Sequence, residues 1–262
     1  MSVAIVIPAR WASTRLPEKM LLSETGWPLI RHTYEQAKKA RLAQRVVIAT
    51  DDQRIFTAVK QFGAEVVMTD PRHPTGTDRL AEVAAKHLSD VDLIVNVQGD
   101  EPELEPGNID LLIELSLKTK PAMGTLVARF DPERKVGPGS PVDPNCVKAV
   151  LGAAKENGYQ ALYFSRSLVP YPRDHQGQVI SPQHYFLHLG IYAYTPAFLQ
   201  HYVTLAQTPL ELTEKLEQLR ILEHGYDIVA GVVAKAVPGV DTRADYDAFV
   251  ARYQQGITEN EF

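Results

Sequence analysis

The 262-residue chain has one cysteine, Cys146, so no disulfide can form within it, and that scarcity fits a reducing compartment. Positive charge is in deficit. The 27 Lys and Arg against 32 Asp and Glu leave a formal charge of −5, where a binder of nucleic-acid backbone needs a basic surface. No apolar run is long enough to span a bilayer, and no cationic segment leads into a long apolar stretch. The expected setting is therefore cytoplasmic, with no membrane and no nucleic acid as partner. Internal repeats, low-complexity tracts and a clear linker are absent, as are Gly-x-Ser-x-Gly and Cys-x-x-Cys elements. His32, His73, His87, His175, His184, His201 and His224 show no metal-ligand spacing.

What is present is an apolar content of 45%, enough for a well-filled core. The first 120 residues alternate strand and helix patterns. Strands are expected at Val3–Ile7, Arg45–Ala49, Glu65–Met68 and Leu93–Val97, with helices at Pro28–Arg41, Asp52–Gln61, Thr77–His87 and Asn108–Leu117. Apolar strands alternating with helices predict a mainly parallel sheet covered on both faces. After residue 120 the pattern changes. Asp131–Asn145, with four prolines and two glycines, reads as loop, and Pro170–Pro182 as a second polar interruption. Met123–Phe130, Cys146–Leu151, Ala161–Phe164, Tyr185–Tyr194 and Ile228–Val233 read as strands. Helices are expected near 196–205, at 209–224, where Thr208, Pro209 and Glu211 form a capping-box start, and from Arg243 to Tyr253, with a frayed tail after Gln254. One α/β domain with an elaborated second half describes this pattern.

Chemistry concentrates first in Pro8–Lys19 (PARWASTRLPEK), at the exit of the first strand. It carries Arg10, Arg15 and Lys19, the hydroxyls of Ser13 and Thr14, and no glycine. Ligands of open α/β sheets collect outside the carboxyl ends of strands, so a cation-bearing loop there reads as a polyphosphate grip made by side chains. A merely solvated loop has the same composition. The fourth strand runs into Gln98, Gly99, Asp100 and Glu101, and period 2 puts Asn96, Gln98 and Asp100 on one side. A carboxylate there, beside a glycine that admits a ligand, suits Mg²⁺, although GDEP is also an ordinary acidic turn. Asp241 is a second carboxylate, or, like Thr242, the cap of the last helix.

Thr75, Gly76, Thr77 and Arg79 precede or open a helix and could read a nucleotide, or simply provide its cap at Thr77. In Tyr185–Tyr194 the even positions place His188, Gly190 and Tyr192 on one face, which suits a hydroxylated ligand or a half-buried strand equally. Arg166 can clamp a carboxylate or form a surface pair. In the 209–224 helix Leu212, Leu216, Leu219 and Leu222 trace a buried stripe, with Glu217 and Gln218 off it. Trp11 and Trp27 read as packing residues.

The segments IPARWASTRLPEK, TGTDRLAEV, VNVQGDEP, ALYFSR, HLGIYAY, LEQLR and PGVDT occur in one order over nearly the whole chain. Taken together the sequence resembles the 3-deoxy-D-manno-octulosonate (Kdo) cytidylyltransferases. The resemblance implies a single-domain nucleotidyltransferase fold of glycosyltransferase A type, in which residues 1–120 bind the nucleotide and 121–262 bind the sugar acid and form a homodimer. It implies the reaction of CTP with Kdo to CMP-Kdo and diphosphate, with Mg²⁺, for lipopolysaccharide biosynthesis. By the same resemblance Arg10, Ser13, Arg15 and Lys19 grip the triphosphate, Lys19, Arg10 and Asp100 are catalytic, and Thr75, Gly76, Thr77, Arg79 and Gln98 contact the nucleotide. Asp100 and Asp241 hold the metal; Arg166, His188, Tyr192, Glu217 and Gln218 hold the sugar acid.

The chain departs from the family at RLPEKM, at Trp27 in place of a lysine, at the short PGVD, and at KVGPGSPVDPN. TDRL in place of TERL points toward the 8-amino analogue of Kdo, whereas GDEP points to Kdo. A sialic-type acid is a further substrate candidate. A catalytically silent nucleotide-sugar binder would have lost a metal carboxylate or the loop cations, and all are present. A metal-dependent glycosyltransferase would need an Asp-x-Asp element, which GDEP matches poorly.

Overall fold

A computed structural model describes residues 1–13 and 15–260; Thr14, one of the two opening-loop hydroxyls, lies outside the described residues. The chain divides into two compact units, Met1–Asp110 with Val237–Phe262, and Leu111–Ala236. The last helix belongs to the first unit.

The first unit contains β1 (Val3–Ala9), α1 (Leu29–Ala37), β2 (Arg45–Thr50), α2 (Gln53–Gln61), β3 (Glu65–Met68), α3 (Gly76–His87) and β4 (Leu93–Asn96). The strands lie in the order β3-β2-β1-β4, all parallel, with Val6 beside Val47 on one side and Asn96 on the other. All seven residues of β1 are buried, as its unbroken apolar run requires when both faces are covered. The crossover helices present apolar stripes to the sheet, Ile55 and Val59 on α2 and Leu80, Val83 and Ala84 on α3. Asp52 caps α2 by accepting from the Arg54 N–H at 2.8 Å. α1 ends at Ala37 and not at Arg41. The Arg41 and Leu42 N–H groups donate to the Asp110 carboxylate, each at 2.9 Å, and so leave the helical ladder.

α4 (Pro106–Thr119) spans the boundary between the units. The second unit contains β5 (Met123–Arg129), β6 (Lys148–Lys155), β7 (Gly158–Ser165), β8 (Phe186–Tyr194), α5 (Pro196–Tyr202), α6 (Pro209–Glu214), α7 (Gln218–Glu223) and β9 (Ile228–Val233). Here β5 and β9 pair in parallel, while β5–β8, β6–β7, β6–β8 and β7–β9 are antiparallel, so the pairings close into a ring of five strands. The parallel character expected from the sequence belongs to the first unit. The second is mixed, because β6 and β7 are joined by a tight hairpin that only antiparallel neighbours permit.

The helix expected over 209–224 is two short helices. Lys215 closes α6 in the left-handed conformation, φ 55°, with its N–H on the Glu211 carbonyl. Leu212 in the first segment is 46% exposed, and after the break Gln218, placed off the stripe by helical spacing, is buried. Glu211 reaches back to the Thr208 N–H at 3.3 Å and also forms a buried pair with Arg220, at 2.8 and 2.5 Å. α8 (Arg243–Asn260) runs seven residues beyond the expected end at Tyr253.

Both partners of the Arg220–Glu211 pair are about 95% sequestered, with side-chain exposures of 4% and 5%. Arg220→Met should therefore destabilise the protein by about 3–5 kcal/mol, because it strands a buried carboxylate, while the double replacement of Arg220 and Glu211 by Met should cost much less. Urea denaturation of the two variants makes the comparison, and equal losses would contradict it.

Candidate active site

The loop after β1 is pinned at one apolar point. Leu16 is buried in a cluster with Leu29, Val240, Tyr246 and Phe249, and the next turn, Lys19–Leu21, is a short 3-10 helix entered through Glu18 at φ 58°. Val240 in that cluster stands immediately before Asp241 and donates its N–H to the Asp100 carbonyl at 2.8 Å. Two segments far apart in sequence are thereby tied together by backbone. Gly99 completes the arrangement: a Cβ there would lie 2.9 Å from the Pro8 carbonyl and 3.1 Å from Ile30. The sequence suggested that this glycine admits a ligand. What it admits is the chain itself at the end of β1, and the Thr33 hydroxyl then donates to the Gly99 carbonyl at 2.9 Å.

These ties bring three expected residues onto one point. The Lys19 ammonium, 7% exposed, donates to Asp100 Oδ2 at 2.6 Å and to Asp241 Oδ1 at 3.3 Å. Arg15 Nη2 joins the same Asp241 oxygen at 2.9 Å, a more exposed contact weakened by solvent. Asp241 is available for this because Thr242 caps α8: its hydroxyl accepts from the Asp245 N–H at 3.2 Å, and the Asp245 carboxylate accepts in turn from the Thr242 N–H at 2.8 Å. Glu101 adjoins the pair. Burial, and then the charges of Asp100 and Asp241, push its carboxyl up to about 8.

The nucleotide candidates are distributed around this point. Arg10 reaches the Pro74 carbonyl at 3.5 Å, and a Cβ on Gly76 would sit 3.9 Å from its Nη2, so the loop cation stands beside the first turn of α3. An arginine at a helix N-terminus is suited to an anion. The cap of α3 is Thr75 and not Thr77: its hydroxyl accepts from the Asp78 N–H at 3.2 Å and donates to Asp78 Oδ2 at 2.7 Å. Thr77 is buried. Ser13 closes a tight turn with its N–H on the Trp11 carbonyl, and Gln98 faces Asn96 across 3.4 Å. Arg79 departs from expectation. It is wholly buried, with its guanidinium on Asp51 at 2.5 Å and on the Thr69 hydroxyl, so it braces the start of α3 from beneath and presents no surface to a nucleotide. Trp11 carries the Arg54 guanidinium on its ring at 3.2 Å, and Trp27 that of Arg31 at 4.0 Å.

In the second unit His188 lies between the Thr125 hydroxyl, 3.1 Å from Nε2, and the Gln218 amide, 3.5 Å from Nδ1. Thr125 donates to the Ile191 carbonyl at 2.9 Å, so it accepts from Nε2–H, which fixes the tautomer. Phe164 and Tyr192 flank the ring at 4.8 and 5.5 Å. Burial holds His188 down to about 3. The alternation expected along β8 is interrupted by a register shift opposite Thr125 and Leu126, which turns Tyr194 inward. Glu217 immediately precedes α7 and is half-buried. Arg166 is held at both ends, its N–H by the Glu214 carboxylate at 2.9 Å, its Nε by the Glu214 carbonyl at 2.7 Å and its Nη1 by the Pro144 carbonyl at 3.1 Å.

Sequence reading missed Glu101, Thr125 and Lys148. Lys148 is fully buried on β6 and burial pushes its ammonium below the ordinary lysine range. The available signal was a lone cation inside the apolar run Cys146–Leu151. Among the described residues no cluster of three or more His, Cys, Asp or Glu is arranged around a common point, and no helix is long and apolar enough to cross a membrane.

This parallel sheet, with a cationic loop after its first strand and a carboxylate after its fourth, is an α/β fold shared with solved nucleotidyltransferases. A cytidylyltransferase from Leptospira borgpetersenii shares the fold, with a TM-score of 0.60 at 17% identity over 100% of this chain and 95% of its own. The family description "Cytidylyltransferase" matches residues 4–228. The chain belongs to the 3-deoxy-manno-octulosonate cytidylyltransferase family. It is 42% identical to the enzyme of that name from Rhodopirellula baltica over 97% of this chain and 99% of the relative, and 46% identical to that of Chlorobaculum parvum over 94% and 95%. A solved CMP:2-keto-3-deoxy-manno-octonic acid synthetase complexed with CTP superposes with a TM-score of 0.86 at 38% identity, over 98% of this chain and all of that one.

The enclosed, neutral His188 has a consequence for stability. An unfolded histidine takes up a proton near pH 6.5, whereas the native ring does so only near 3, so the unfolded state binds more protons between those values. The stability that His188 contributes above pH 6.5 should be lost as pH falls toward 3, and His188→Asn should flatten this dependence. Urea midpoints measured from pH 7 to 4 test it; parallel curves for the two proteins would contradict it.

Proposed function

We propose that the chain transfers the cytidylyl group of CTP to Kdo, giving CMP-Kdo and diphosphate for lipopolysaccharide biosynthesis. The observation that carries the reading is the convergence of Asp100 and Asp241 on the Lys19 ammonium beside the β1 loop. The anomeric 2-hydroxyl of Kdo attacks the α-phosphorus of CTP and diphosphate leaves in line, so the protein's contribution is positioning and charge compensation. Lys19, Arg10 and Arg15 hold the triphosphate and offset charge developing on the leaving group. No covalent intermediate with the protein is needed.

The donor set suits Mg²⁺, which takes one or two carboxylates and completes its coordination with substrate phosphates and water. Support comes from two hard carboxylate oxygens already drawn onto a single cationic atom. Asp100 and Asp241 would hold the ion, which when bound supplies charge neutralisation at the phosphate and lowers the pKa of the attacking hydroxyl. Arg166, His188, Tyr192, Glu217 and Gln218 are assigned to the sugar acid. His188 offers a fixed, neutral ring rather than a cation, and Arg166 the charge for the carboxylate. Thr75, Gly76, Thr77 and Gln98 are assigned to the nucleotide, with Arg79 acting through the α3 start that it braces. The working form is a cytoplasmic homodimer; exposed Leu162 on β7 and Leu212 on α6 are compatible with a further covered surface.

The 8-amino analogue of Kdo is the second reading, motivated by Asp78 in TDRL. The 42% and 46% identical relatives named 3-deoxy-manno-octulosonate cytidylyltransferase favour Kdo. Diphosphate release with CTP and Mg²⁺ should occur with Kdo and be much slower with the amino analogue or a sialic-type acid; turnover with none of them would overturn the assignment. Asp100→Asn and Asp241→Asn should each lower turnover by about a hundredfold or more while leaving the thermal midpoint near that of the parent. A variant that keeps most of its activity removes its residue from the metal role.

A further inference from the structure

One buried cation outside this chemistry is Lys148. It opens β6 where that strand meets two others, opposite Ser165 of β7 and opposite Leu187 of β8. It has no exposed surface, and its ammonium donates to the backbone carbonyls of Asp143 at 2.9 Å, Cys146 at 2.6 Å and Arg166 at 2.6 Å. All three N–H donors are therefore spent on main chain.

A buried ammonium satisfied only by carbonyls is a costly way to close a sheet, since an apolar residue of the same length would fill the space without desolvating a charge. What it does that an apolar residue cannot do is tie three otherwise irregular backbone points to one atom. Two of these points lie in the Pro-rich loop 131–145 and its exit, and the third is Arg166 itself. The same loop supplies the Pro144 carbonyl that takes Arg166 Nη1 at 3.1 Å. Glu214 holds the other side of Arg166, with its carboxylate on the Ser165 hydroxyl at 2.6 Å and on the Arg166 N–H at 2.9 Å. Next to the other register partner, the His188 N–H donates to the Val147 carbonyl at 2.8 Å. The backbones of Arg166 and His188 are thus both fastened within one residue of Lys148.

We propose that Lys148 is a positioning residue for the sugar acid: its carbonyl cage sets the backbone and guanidinium of Arg166, and through Val147 the backbone of His188, without touching the substrate. The proposal rests on the assignment of Arg166 and His188 to the sugar acid. It concerns the second unit alone, so its effect is confined to one of the two substrates.

The test is steady-state diphosphate release by Lys148→Met, which keeps the volume of the side chain and removes its three donors, beside Arg166→Gln and the double variant. Lys148→Met should raise KM for Kdo about tenfold and leave KM for CTP within about twofold. The double variant should be no worse than Arg166→Gln alone, since the two changes act through one group. A fall in kcat with both KM values unchanged, or losses that add fully in the double variant, would overturn the proposal. Should Lys148→Met fail to fold, Lys148→Gln, which retains two N–H donors, takes its place, and failure of both would make Lys148 a folding element only and overturn the positioning role. If Arg166→Gln itself leaves KM for Kdo unchanged, the sugar-acid assignment fails instead. If Arg166→Gln raises it and Lys148→Met does not, only the inference about Lys148 fails.

Discussion

The site depends on one ammonium group held between two carboxylates. Lys19, nearly sequestered, meets Asp100 at 2.6 Å and Asp241 at 3.3 Å, and two like charges brought so close are tolerable only with a cation between them. The rest of the first unit maintains that meeting. β1 and β4 run parallel and adjacent, so their carboxyl ends emerge together. The Leu16–Val240–Tyr246 cluster then anchors the cationic loop beside the segment that precedes Asp241. Glu101 beside the two carboxylates retains its proton well above the usual carboxylate range, through burial first and then through the charges of Asp100 and Asp241.

Buried cations recur as internal fasteners. Arg79 pairs with Asp51 and Thr69 beneath α3, Arg220 with Glu211 between α6 and α7, and Lys148 with three carbonyls on β6. Each fixes irregular backbone next to residues assigned to a ligand. This is where buried polar groups are useful, since directional hydrogen bonds specify one loop geometry and apolar packing alone does not.

The parallel half of the fold was legible because its signals are local: apolar runs of strand length, helices with one apolar stripe, and boundaries such as Glu65–Met68 that the structure reproduces. The cationic loop, Asp100 and Asp241 were also visible as candidates, but their convergence was not, because it is made by a hydrogen bond from Val240 to Asp100 across 140 residues of sequence. Residues whose partners are distant were misjudged for the same reason. Arg79 has the composition of a ligand contact and the environment of a core residue. Gln218 sits off the apolar stripe of an ideal helix, yet after the break at the left-handed Lys215 it is buried. Gly99 is explained by the Pro8 carbonyl, which no local pattern contains. The closed strand ring of the second unit follows from register, which composition does not encode.

The central claim is that Asp100 and Asp241 together form a cation site that fills when a nucleoside triphosphate occupies the loop of Arg10, Arg15 and Lys19. The direct measurement is Mn²⁺ titration followed by electron paramagnetic resonance, with and without CTP, on the parent protein and on Asp241→Asn. The account predicts that CTP strengthens Mn²⁺ binding to the parent protein and that the substitution weakens the CTP-dependent binding by about tenfold or more. Mn²⁺ binding that is indifferent to both CTP and Asp241 would contradict it.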